Sequence, residues 1–470
     1  MSGNLIAVSL ADEPDLQRQT PSGWDLGQGN LMLMGIAGSG TSTTLSSIAL
    51  TAAAETSPED LDILCLDMGS RDLAPLAELP HIVAYVGSGA GAKEKQTRFL
   101  RHLLAEFERR RSSDEGTHRR ALVLLDGLAT LRDEFQDYHG QELLDGLYRV
   151  YADGPSVGMW FAVSTTRAKA VPSAMDEVTT QKWLFRLADA YDYSALGVRG
   201  TSIPAAVPGR YVDTTTLSQS HVAIPADGLA SAVDAVAGRW AAIGAKRDVI
   251  GSLPDRITVA ELGAAATIEG EPWPIPVGVR EDTLAPAMLE VYEEEHLLIA
   301  GPSRSGKSTL LLAVAETVRA SGGQVWGIHD RRSPLATAEL DRTAGSAEEI
   351  PALVASLRLE AGPVVLLIDD AERVEDTDQS IASLISGQRP GLCIVAAGRS
   401  GELRSLYSHW TKEVRKARCG VLLQPDLGYD GDLLGASLPS RAPVAVTPGR
   451  GYACSGGVVV LVQSVSPTGT

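Results

Sequence analysis

The stretch that determines the fold is Leu297-Leu-Ile-Ala-Gly-Pro-Ser-Arg-Ser-Gly-Lys-Ser-Thr-Leu310. Its centre fits the pattern G-x-x-x-x-G-K-[S/T] at every position, with a predicted apolar strand before it and a predicted helix after it. In such a loop, successive backbone N–H groups and the positive end of the following helix can surround a polyphosphate. The stretch therefore predicts a phosphate-binding loop between a strand and a helix.

Two side chains of this loop have expected roles. Lys307 would supply a positive charge to the β- and γ-phosphates, and the Ser308 hydroxyl would bind Mg²⁺. ATP and Mg²⁺ are therefore the predicted cofactors. The residues expected to contact the nucleotide are Gly301, Pro302, Ser303, Arg304, Ser305, Gly306, Lys307, Ser308 and Thr309.

Two adjacent aspartates follow a second apolar run, at residues 364–368. Asp369 ends the predicted strand, where a carboxylate that binds Mg²⁺ directly or holds one of its ligands is expected, and Asp370 is the expected base for the attacking water. Lys307, Asp369 and Asp370 are thus the predicted catalytic residues. An alternative is that Asp370 or Glu372 only caps the next helix. Because aspartate is shorter than glutamate, the commoner base, we expect nucleotide binding with slow turnover.

The same order of elements occurs earlier, around Leu31-Met-Leu-Met-Gly-Ile-Ala-Gly-Ser-Gly-Thr-Ser-Thr-Thr44. In each copy a short strand ending in an acid, an apolar strand ending in Asp, a further strand and a Pro-Gly-Arg then follow. Short, wholly apolar strands that alternate with helices indicate a parallel sheet covered by helices. The sequence therefore predicts an α/β protein with two tandem P-loop domains, each a mainly parallel sheet, at residues 1–248 and 249–470.

The first copy departs from the pattern at its chemical positions. Thr41 stands where the phosphate-binding lysine is expected, and Gly127 follows Asp126 where the second carboxylate is expected. The retained positions are Gly35, Gly40, Ser42 and Asp126. Because a hydroxyl cannot replace the lysine charge, we expect this first site to be inactive and to hold nucleotide weakly or not at all.

The net charge of the chain argues against some classes of binding partner. The 470 residues include 41 basic and 59 acidic side chains, a formal net charge of −18, which repels DNA and anionic membrane surfaces. The four cysteines, Cys65, Cys393, Cys419 and Cys454, show no metal or disulfide spacing and receive no predicted role. Residues 1–15 lack a signal-peptide pattern, and the apolar runs are shorter than the roughly 20 residues that span a bilayer. The chain is therefore predicted to be cytoplasmic.

The chain resembles the FtsK/SpoIIIE family of P-loop motors and, more closely, the last two ATPase domains of the EccC coupling ATPases of type VII secretion. The tandem order and the connector between the copies are the specific features. The resemblance rests on Ile6-Ala-Val-Ser-Leu-Ala-Asp-Glu-Pro-Asp15, Cys65-Leu-Asp-Met-Gly69, Leu-Leu-Asp126-Gly-Leu, Leu253-Pro-Asp-Arg-Ile-Thr-Val-Ala-Glu-Leu262 and the two Pro-Gly-Arg motifs.

The resemblance implies an FtsK/RecA-like fold in both domains and ATP that is held with little turnover. It also implies that the last domain binds a short C-terminal signal on a helical-hairpin export substrate. Proteins of this kind carry transmembrane helices and a more active ATPase domain ahead of these two. We therefore expect an upstream membrane-anchored ATPase domain or subunit as partner, a place at the inner face of the membrane, and a hexamer-like ring.

Two other functions remain as alternatives. A DNA translocase is the other occupation of the family, although the acidic charge and the disabled first site argue against DNA as a partner. A nucleotide-dependent assembly scaffold, which neither exports protein nor moves DNA, is the second alternative. If the second site hydrolyses ATP, a neighbouring domain should supply an arginine. The candidates are Arg167, Arg186, Arg210, Arg399 and Arg450.

Overall fold

Wholly apolar runs form the central strands of two large sheets, one in each half of the chain. A computed structural model describes residues 4–69, 71–89, 92–113, 118–243, 249–293, 295–387, 389–440, 442 and 446–469. The chain divides into two units, Met1–Gly251 and Ser252–Thr470. The strand before each glycine loop, β3 (Leu31–Met34) or β14 (Leu297–Ala300), is buried at every residue, as expected for a strand with helices on both faces.

The described part of the first unit contains ten strands and seven α-helices. The strands are β1 (Leu5–Glu13), β2 (Arg18–Asp25), β3 (Leu31–Met34), β4 (Leu61–Asp67), β5 (Ile82–Val86), β6 (Arg120–Asp126), β7 (Met159–Thr165), β8 (Gln181–Leu184), β9 (Arg210–Asp213) and β10 (Gln219–Val222). The helices are α1 (Thr41–Glu55), α2 (Ala92–Ser112), α3 (Leu128–Glu134), α4 (Tyr138–Asp153), α5 (Ser173–Asp176), α6 (Ala190–Ala195) and α7 (Leu229–Arg239).

The described part of the second unit contains eleven strands and six α-helices. The strands are β11 (Ile257–Thr258), β12 (Trp273–Arg280), β13 (Pro286–Val291), β14 (Leu297–Ala300), β15 (Gln324–Ile328), β16 (Arg342–Ala344), β17 (Val364–Ile368), β18 (Leu392–Gly398), β19 (Gly420–Leu423), β20 (Arg450–Ser455) and β21 (Val458–Ser466). The helices are α8 (Val259–Leu262), α9 (Lys307–Ala320), α10 (Ile350–Leu359), α11 (Ser380–Ser386), α12 (Ser400–Ser405) and α13 (Thr411–Arg415).

The two sheets have the same topology. Their strand orders are β2-β1-β10-β9-β8-β3-β7-β6-β4-β5 and β13-β12-β21-β20-β19-β14-β18-β17-β15-β16. In each, the six strands from β8 to β5, or from β19 to β16, are parallel, and the other four in these orders extend the sheet with antiparallel pairs; the second sheet has one more strand, β11, which pairs in parallel with β21. The predicted α/β fold with two parallel-rich sheets is confirmed, and the antiparallel extension is an addition that the sequence analysis missed.

Helices cover both faces of the parallel strands, and each face has its own apolar core. The helix α2 forms where apolar residues recur at three- and four-residue spacing, and it buries Phe99, Leu103 and Phe107 against the sheet. None of the helices in the described ranges is long and apolar enough to cross a membrane.

The connector between the copies packs first on one unit and then on the other. The Val249 N–H donates to the Val83 carbonyl, and the buried Arg98 guanidinium donates to the Gly251 carbonyl, so residues 249–251 lie with the first unit. The second unit begins at Ser252, and its first elements are β11 and α8, the latter with a capping box between Thr258 and Glu261. Residues 244–248, at the predicted boundary, lie outside the described residues.

Candidate nucleotide-binding sites

The second P-loop, residues 301–308, lies at the carboxyl edge of the second sheet between β14 and α9. Arg304 and Gly306 adopt left-handed backbone conformations, with φ of 63° and 105°. Gly301 has no room for a side chain, because an added Cβ would lie 2.4 Å from the Leu423 carbonyl oxygen. The helix α9 starts at Lys307 with no side-chain cap on its first turn. Its free N–H groups can therefore serve an anion.

Lys307 folds back onto this loop. Its Nζ donates to the carbonyl oxygens of Gly301 at 3.1 Å and Pro302 at 2.7 Å. Burial lowers the pKa of this ammonium, and the nearby carboxylates of Glu372, Asp369 and Asp370 oppose the change. The Lys307 ammonium is thus a desolvated cation that lies over the loop. No carboxylate is hydrogen-bonded to it among the described contacts.

Ser308 and Asp369 lie together, as a magnesium site of this kind requires. The Ser308 hydroxyl donates to Asp369 Oδ1 at 3.1 Å, and the Ser333 hydroxyl donates to Oδ2 at 2.6 Å. Asp369 is buried at the end of β17. With both carboxylate oxygens engaged, Asp369 is better suited to orient Ser308 than to bind the metal directly. Ser333 is a residue that no sequence pattern indicated.

Asp370 does not cap the following turn. Its backbone is left-handed, with φ of 47°, and its side chain makes no capping hydrogen bond to the 3-10 turn at Ala371–Arg373. Within the described part of the chain, its carboxylate has no hydrogen-bond or ion-pair partner. It is therefore free to meet a water molecule, although its left-handed backbone is strained.

Glu372 also belongs to this site, although the sequence analysis considered it only as a cap. Its side chain is 1% exposed, and Oε2 accepts the Arg399 backbone N–H at 3.2 Å. The Arg399 Nε lies 3.7 Å from Oε1. Burial raises the pKa of the Glu372 carboxyl, against the N–H bonds of its own backbone and of Arg399.

The donor set fits a magnesium–nucleotide complex. Ser305 is fully buried in the loop, and its hydroxyl has no hydrogen-bond partner among the described residues. Lys307 and the uncapped start of α9 provide positive charge for a polyphosphate. The Ser308 hydroxyl directs its hydrogen to Asp369 and keeps its lone pairs for a metal ion.

The first P-loop, residues 35–42, has the same backbone without the lysine. Gly38 and Gly40 are left-handed, with φ of 74° and 104°. Ser39 is buried and its hydroxyl lacks a partner among the described residues, as for Ser305 in the second loop. Thr41 begins α1 in place of Lys307. The loop geometry is therefore retained, while its main cation is lost.

Asp126 lies with serine hydroxyls in the first site. Ser42 Oγ donates to Oδ2 at 2.7 Å, and the Ser164 hydroxyl donates to Oδ1. Burial raises the pKa of Asp126, and the two hydroxyls oppose that effect. Gly127, with φ of 94°, takes the left-handed position that Asp370 occupies in the second site. The second carboxylate is thus absent from a turn that has the same backbone.

The glycine of each Pro-Gly-Arg motif forms a hydrogen bond with the P-loop of its own unit, which accounts for the recurrence of the motif. The Gly209 N–H donates to the Ser39 carbonyl, and the Gly449 N–H donates to the Ser305 carbonyl, each at 2.8 Å. An added Cβ on Gly40 would lie 2.6 Å from the Gly209 nitrogen. Each motif therefore packs against the backbone of the P-loop in its own unit and helps to hold the conformation of that loop.

The candidate arginines have different surroundings. Arg450 is buried, donates to Gln463, and contacts Pro254 and Asp255 of the connector, so it has a structural role. Arg167 pairs with Asp133 on the surface. Arg399 lies in the second site beside Glu372. Arg186 is exposed next to the first P-loop, and its carbonyl accepts the Ile36 N–H, while Arg210 lines a cleft with Gly209.

Comparison with known sequences gives a consistent result. Residues 2–140 match the FtsK/SpoIIIE family. The chain is 24% identical over 97% of its length to the ESX secretion system protein YukB of Bacillus subtilis, and 26% identical over 96% to EccC of Thermomonospora curvata. It spans about a third of these proteins, 34% and 38% of their lengths. It is also 28% identical over 81% of its length to the ESX-1 protein EccCb1 of Mycobacterium tuberculosis.

Solved structures show the same fold across both units. ATPases 2 and 3 of EssC from Geobacillus thermodenitrificans match 99% of the chain with a TM-score of 0.79 and 22% identity. ATPases 2 and 3 of Thermomonospora curvata EccC, solved in complex with a signal sequence peptide, match 99% of it with a TM-score of 0.71 and 22% identity. The chain therefore matches the FtsK/SpoIIIE family over residues 2–140, and both of its units have the fold of ATPases 2 and 3 of EccC and EssC.

Proposed function

We propose that the second unit binds Mg·ATP through residues 301–309. The observation that carries this proposal is the desolvated Lys307 over a loop whose helix start is uncapped. Lys307 would bind the terminal phosphates and Ser308 would bind Mg²⁺, with Asp369 orienting Ser308. Asp370 would orient or deprotonate the attacking water. Since aspartate reaches less far than glutamate and an arginine from a neighbouring domain would have to complete the site, turnover by the chain alone would be slow or partner-dependent.

The first unit would not bind nucleotide comparably. It has the loop but neither the lysine charge nor a carboxylate after Asp126. A neutral hydroxyl at Thr41 offers no Coulomb attraction to a triphosphate. We infer that this unit serves a structural or regulatory purpose.

The wider role we propose is that of a coupling and assembly module in type VII protein secretion. Its relatives over nearly the whole chain are named as ESX secretion proteins, and one of the similar structures was solved with a signal sequence peptide. The chain would recognise the C-terminal signal of an export substrate. It would act in the cytoplasm beside an upstream, membrane-anchored ATPase domain or subunit, in a hexamer-like ring.

DNA movement is the less well supported alternative. The net charge of −18 opposes contact with phosphate backbones, and the curated relatives named above are secretion proteins. Binding of a substrate signal through apolar side chains should depend weakly on salt. A DNA complex with 6–10 phosphate contacts loses about 10³-fold or more in affinity between 50 and 200 mM salt.

Calorimetry with Mg·ATP tests the nucleotide proposal. We expect one tight site per chain, and Lys307→Ala should abolish most of the binding because the phosphates lose their main cation. Thr41→Ala is the matched control, since Thr41 is the equivalent residue of the first loop, and it should change nothing. Two equally tight sites, or undiminished binding by Lys307→Ala, would contradict the proposal.

The secretion proposal is tested by titrating the chain with carboxy-terminal peptides of helical-hairpin secretion substrates and with duplex DNA, at 50 and 200 mM salt. Peptide binding that changes little with salt is the expected result. DNA binding with a steep salt dependence, without peptide binding, would replace secretion coupling with DNA translocation.

A further inference from the structure

The second site contains a buried carboxylate for which the proposed chemistry has no use. Glu372 lies three residues after Asp369, with a side chain that is 1% exposed. A carboxylate in a polyphosphate site normally serves the metal ion or the attacking water, because without such a role its charge would only repel the phosphates where water is excluded. The position of this one therefore calls for an explanation.

The fold makes specific room for Glu372. An added Cβ on Gly398, the last residue of β18, would lie 2.6 Å from Glu372 Oε2. The Gly398 carbonyl in turn accepts the N–H of Gly301, the first residue of the second P-loop, at 3.3 Å. The carboxylate thus occupies a gap directly beside the phosphate-binding loop.

The negative charge of Glu372 acts on two cations, Lys307 and Arg399. Among the carboxylates near Lys307, its charge does most to oppose the effect of burial on that ammonium, ahead of Asp369 and Asp370. Arg399 donates its backbone N–H to Oε2 and holds its guanidinium 3.7 Å from Oε1. Oε1 accepts no hydrogen bond from the described residues, so the guanidinium is its nearest compensation.

The Arg399 guanidinium interacts with two carboxylates, those of Glu372 and Glu402. Its Nη1 donates to Glu402 Oε1 at 2.7 Å, and its side chain is 35% exposed. It lines an open cleft of about 380 Å³ beside Pro302. Arg399 can therefore change its position without disturbing the core, whereas Glu372 cannot.

We infer that Glu372 is a positioning residue that links Lys307 to Arg399, so that Arg399 sets how strongly the second site holds the phosphates of a nucleotide. This inference rests on the proposed Mg·ATP binding by that site. With Arg399 in contact, the charge of Glu372 is compensated and Lys307 can turn to the phosphates. With Arg399 withdrawn, the buried charge holds Lys307 and repels the nucleotide.

A double-mutant cycle measured by calorimetry with Mg·ATP tests this link. Glu372→Gln keeps an oxygen for the Arg399 N–H and removes the charge, so affinity should rise by about fivefold, or roughly 1 kcal/mol. Arg399→Gln leaves the carboxylate uncompensated, so affinity should fall by about fivefold. In the double variant the affinity should equal that of Glu372→Gln alone, about fivefold above the native chain, because no charge remains to compensate, whereas additive effects would return it to the native value. Arg399→Lys should restore the native affinity.

Glu375→Gln is the matched control, because it removes an exposed carboxylate just after the same turn and should leave affinity unchanged. Thermal melting checks that each variant is folded; a purely structural role for Glu372 would lower both stability and affinity. Weaker binding by folded Glu372→Gln, or additive effects in the double variant, would overturn the link while leaving the proposed nucleotide binding intact. A native chain that does not bind Mg·ATP would overturn both.

Discussion

At the scale of single residues, the two sites differ most clearly just after the strand-end aspartate. The backbone is left-handed there in both units, at Gly127 with φ of 94° and at Asp370 with φ of 47°. Glycine adopts this conformation without strain, whereas a residue with a side chain does so at a cost of about 1 kcal/mol. The first unit has the residue that suits the turn. The second unit keeps a strained carboxylate, which is what a functional residue at that position predicts.

Asp370→Gly should therefore stabilise the second unit and remove its chemistry. Relief of the left-handed strain is expected to raise the melting temperature by about 2 °C, since 1 kcal/mol corresponds to roughly 2–4 °C in a domain of this size. Single-turnover ATP hydrolysis should fall to background, while Mg·ATP binding remains. Gln379→Gly, at another left-handed position outside the site with φ of 56°, is the control that should stabilise without affecting hydrolysis. An unchanged single-turnover rate would assign the water to a different group.

At the scale of elements, each P-loop depends on a second loop that the chain supplies about 140 to 170 residues later, roughly the length of a small domain. The Gly449 N–H holds the Ser305 carbonyl at 2.8 Å, and the Gly449 carbonyl accepts the Ser464 N–H at 2.7 Å. The loop therefore fastens the second P-loop to the antiparallel part of the sheet. This contact gives the antiparallel extension a purpose in positioning the site.

Gly449→Ala should weaken nucleotide binding as well as the fold. Gly449 has a φ of 82°, and an added Cβ would lie 2.7 Å from Gln463 Nε2, so either the loop or Gln463, whose Oε1 accepts from the buried Arg450, must shift. We expect a loss of about 1–3 kcal/mol in the free energy of unfolding and a lower Mg·ATP affinity. Gly456→Ala is a matched change, because Gly456 is also left-handed, at 56°, but has open space around it. It should cost stability and leave affinity unaltered; equal effects of the two changes on affinity would show that the contact with Ser305 is unimportant.

At the scale of the whole chain, each unit buries a histidine at the amino-terminal side of a sheet strand. His81 precedes β5 and His296 precedes β14, and burial lowers the pKa of both, to about 4 for His296. The folded units therefore hold these rings neutral, and the unfolded chain protonates them near pH 6.5. Folding stability is complete above that pH and is lost as the pH falls towards the folded-state pKa.

Acidification from pH 6.5 to 4 should thus destabilise both units. For His296 the fall in pKa from 6.5 to about 4 corresponds to at most about 3 kcal/mol, at roughly 1.4 kcal/mol per pH unit. His296→Gln can still accept the Ile394 N–H but cannot titrate, so its unfolding free energy, measured with denaturant, should vary less with pH. His221→Gln, at an exposed histidine of the first unit, should leave the pH dependence as it is. An equal dependence in His296→Gln and the native chain would exclude His296 as a source.

The sequence alone determined the features that depend on short, contiguous patterns. A P-loop is a run of neighbouring residues whose glycines, lysine and serine act through one turn of backbone, so residues 301–308 could be recognised by spacing. The parallel strands were equally readable, because strands buried on both faces are apolar throughout. The loss of charge at Thr41 followed from the same alignment of the two copies.

Tertiary structure alone decided which distant groups meet at the site. Glu372 reads locally as a helix cap, and only the end of β18 shows that it lies against Gly398 and accepts the Arg399 backbone N–H beside the second P-loop. The antiparallel strands escaped notice because buried and exposed residues alternate in strands such as β13, and because the pair β12–β21 joins distant parts of the chain. Arg450 appeared available to a neighbour and is instead buried against Gln463. Such pairings depend on distance in space, which the local pattern of residues does not encode.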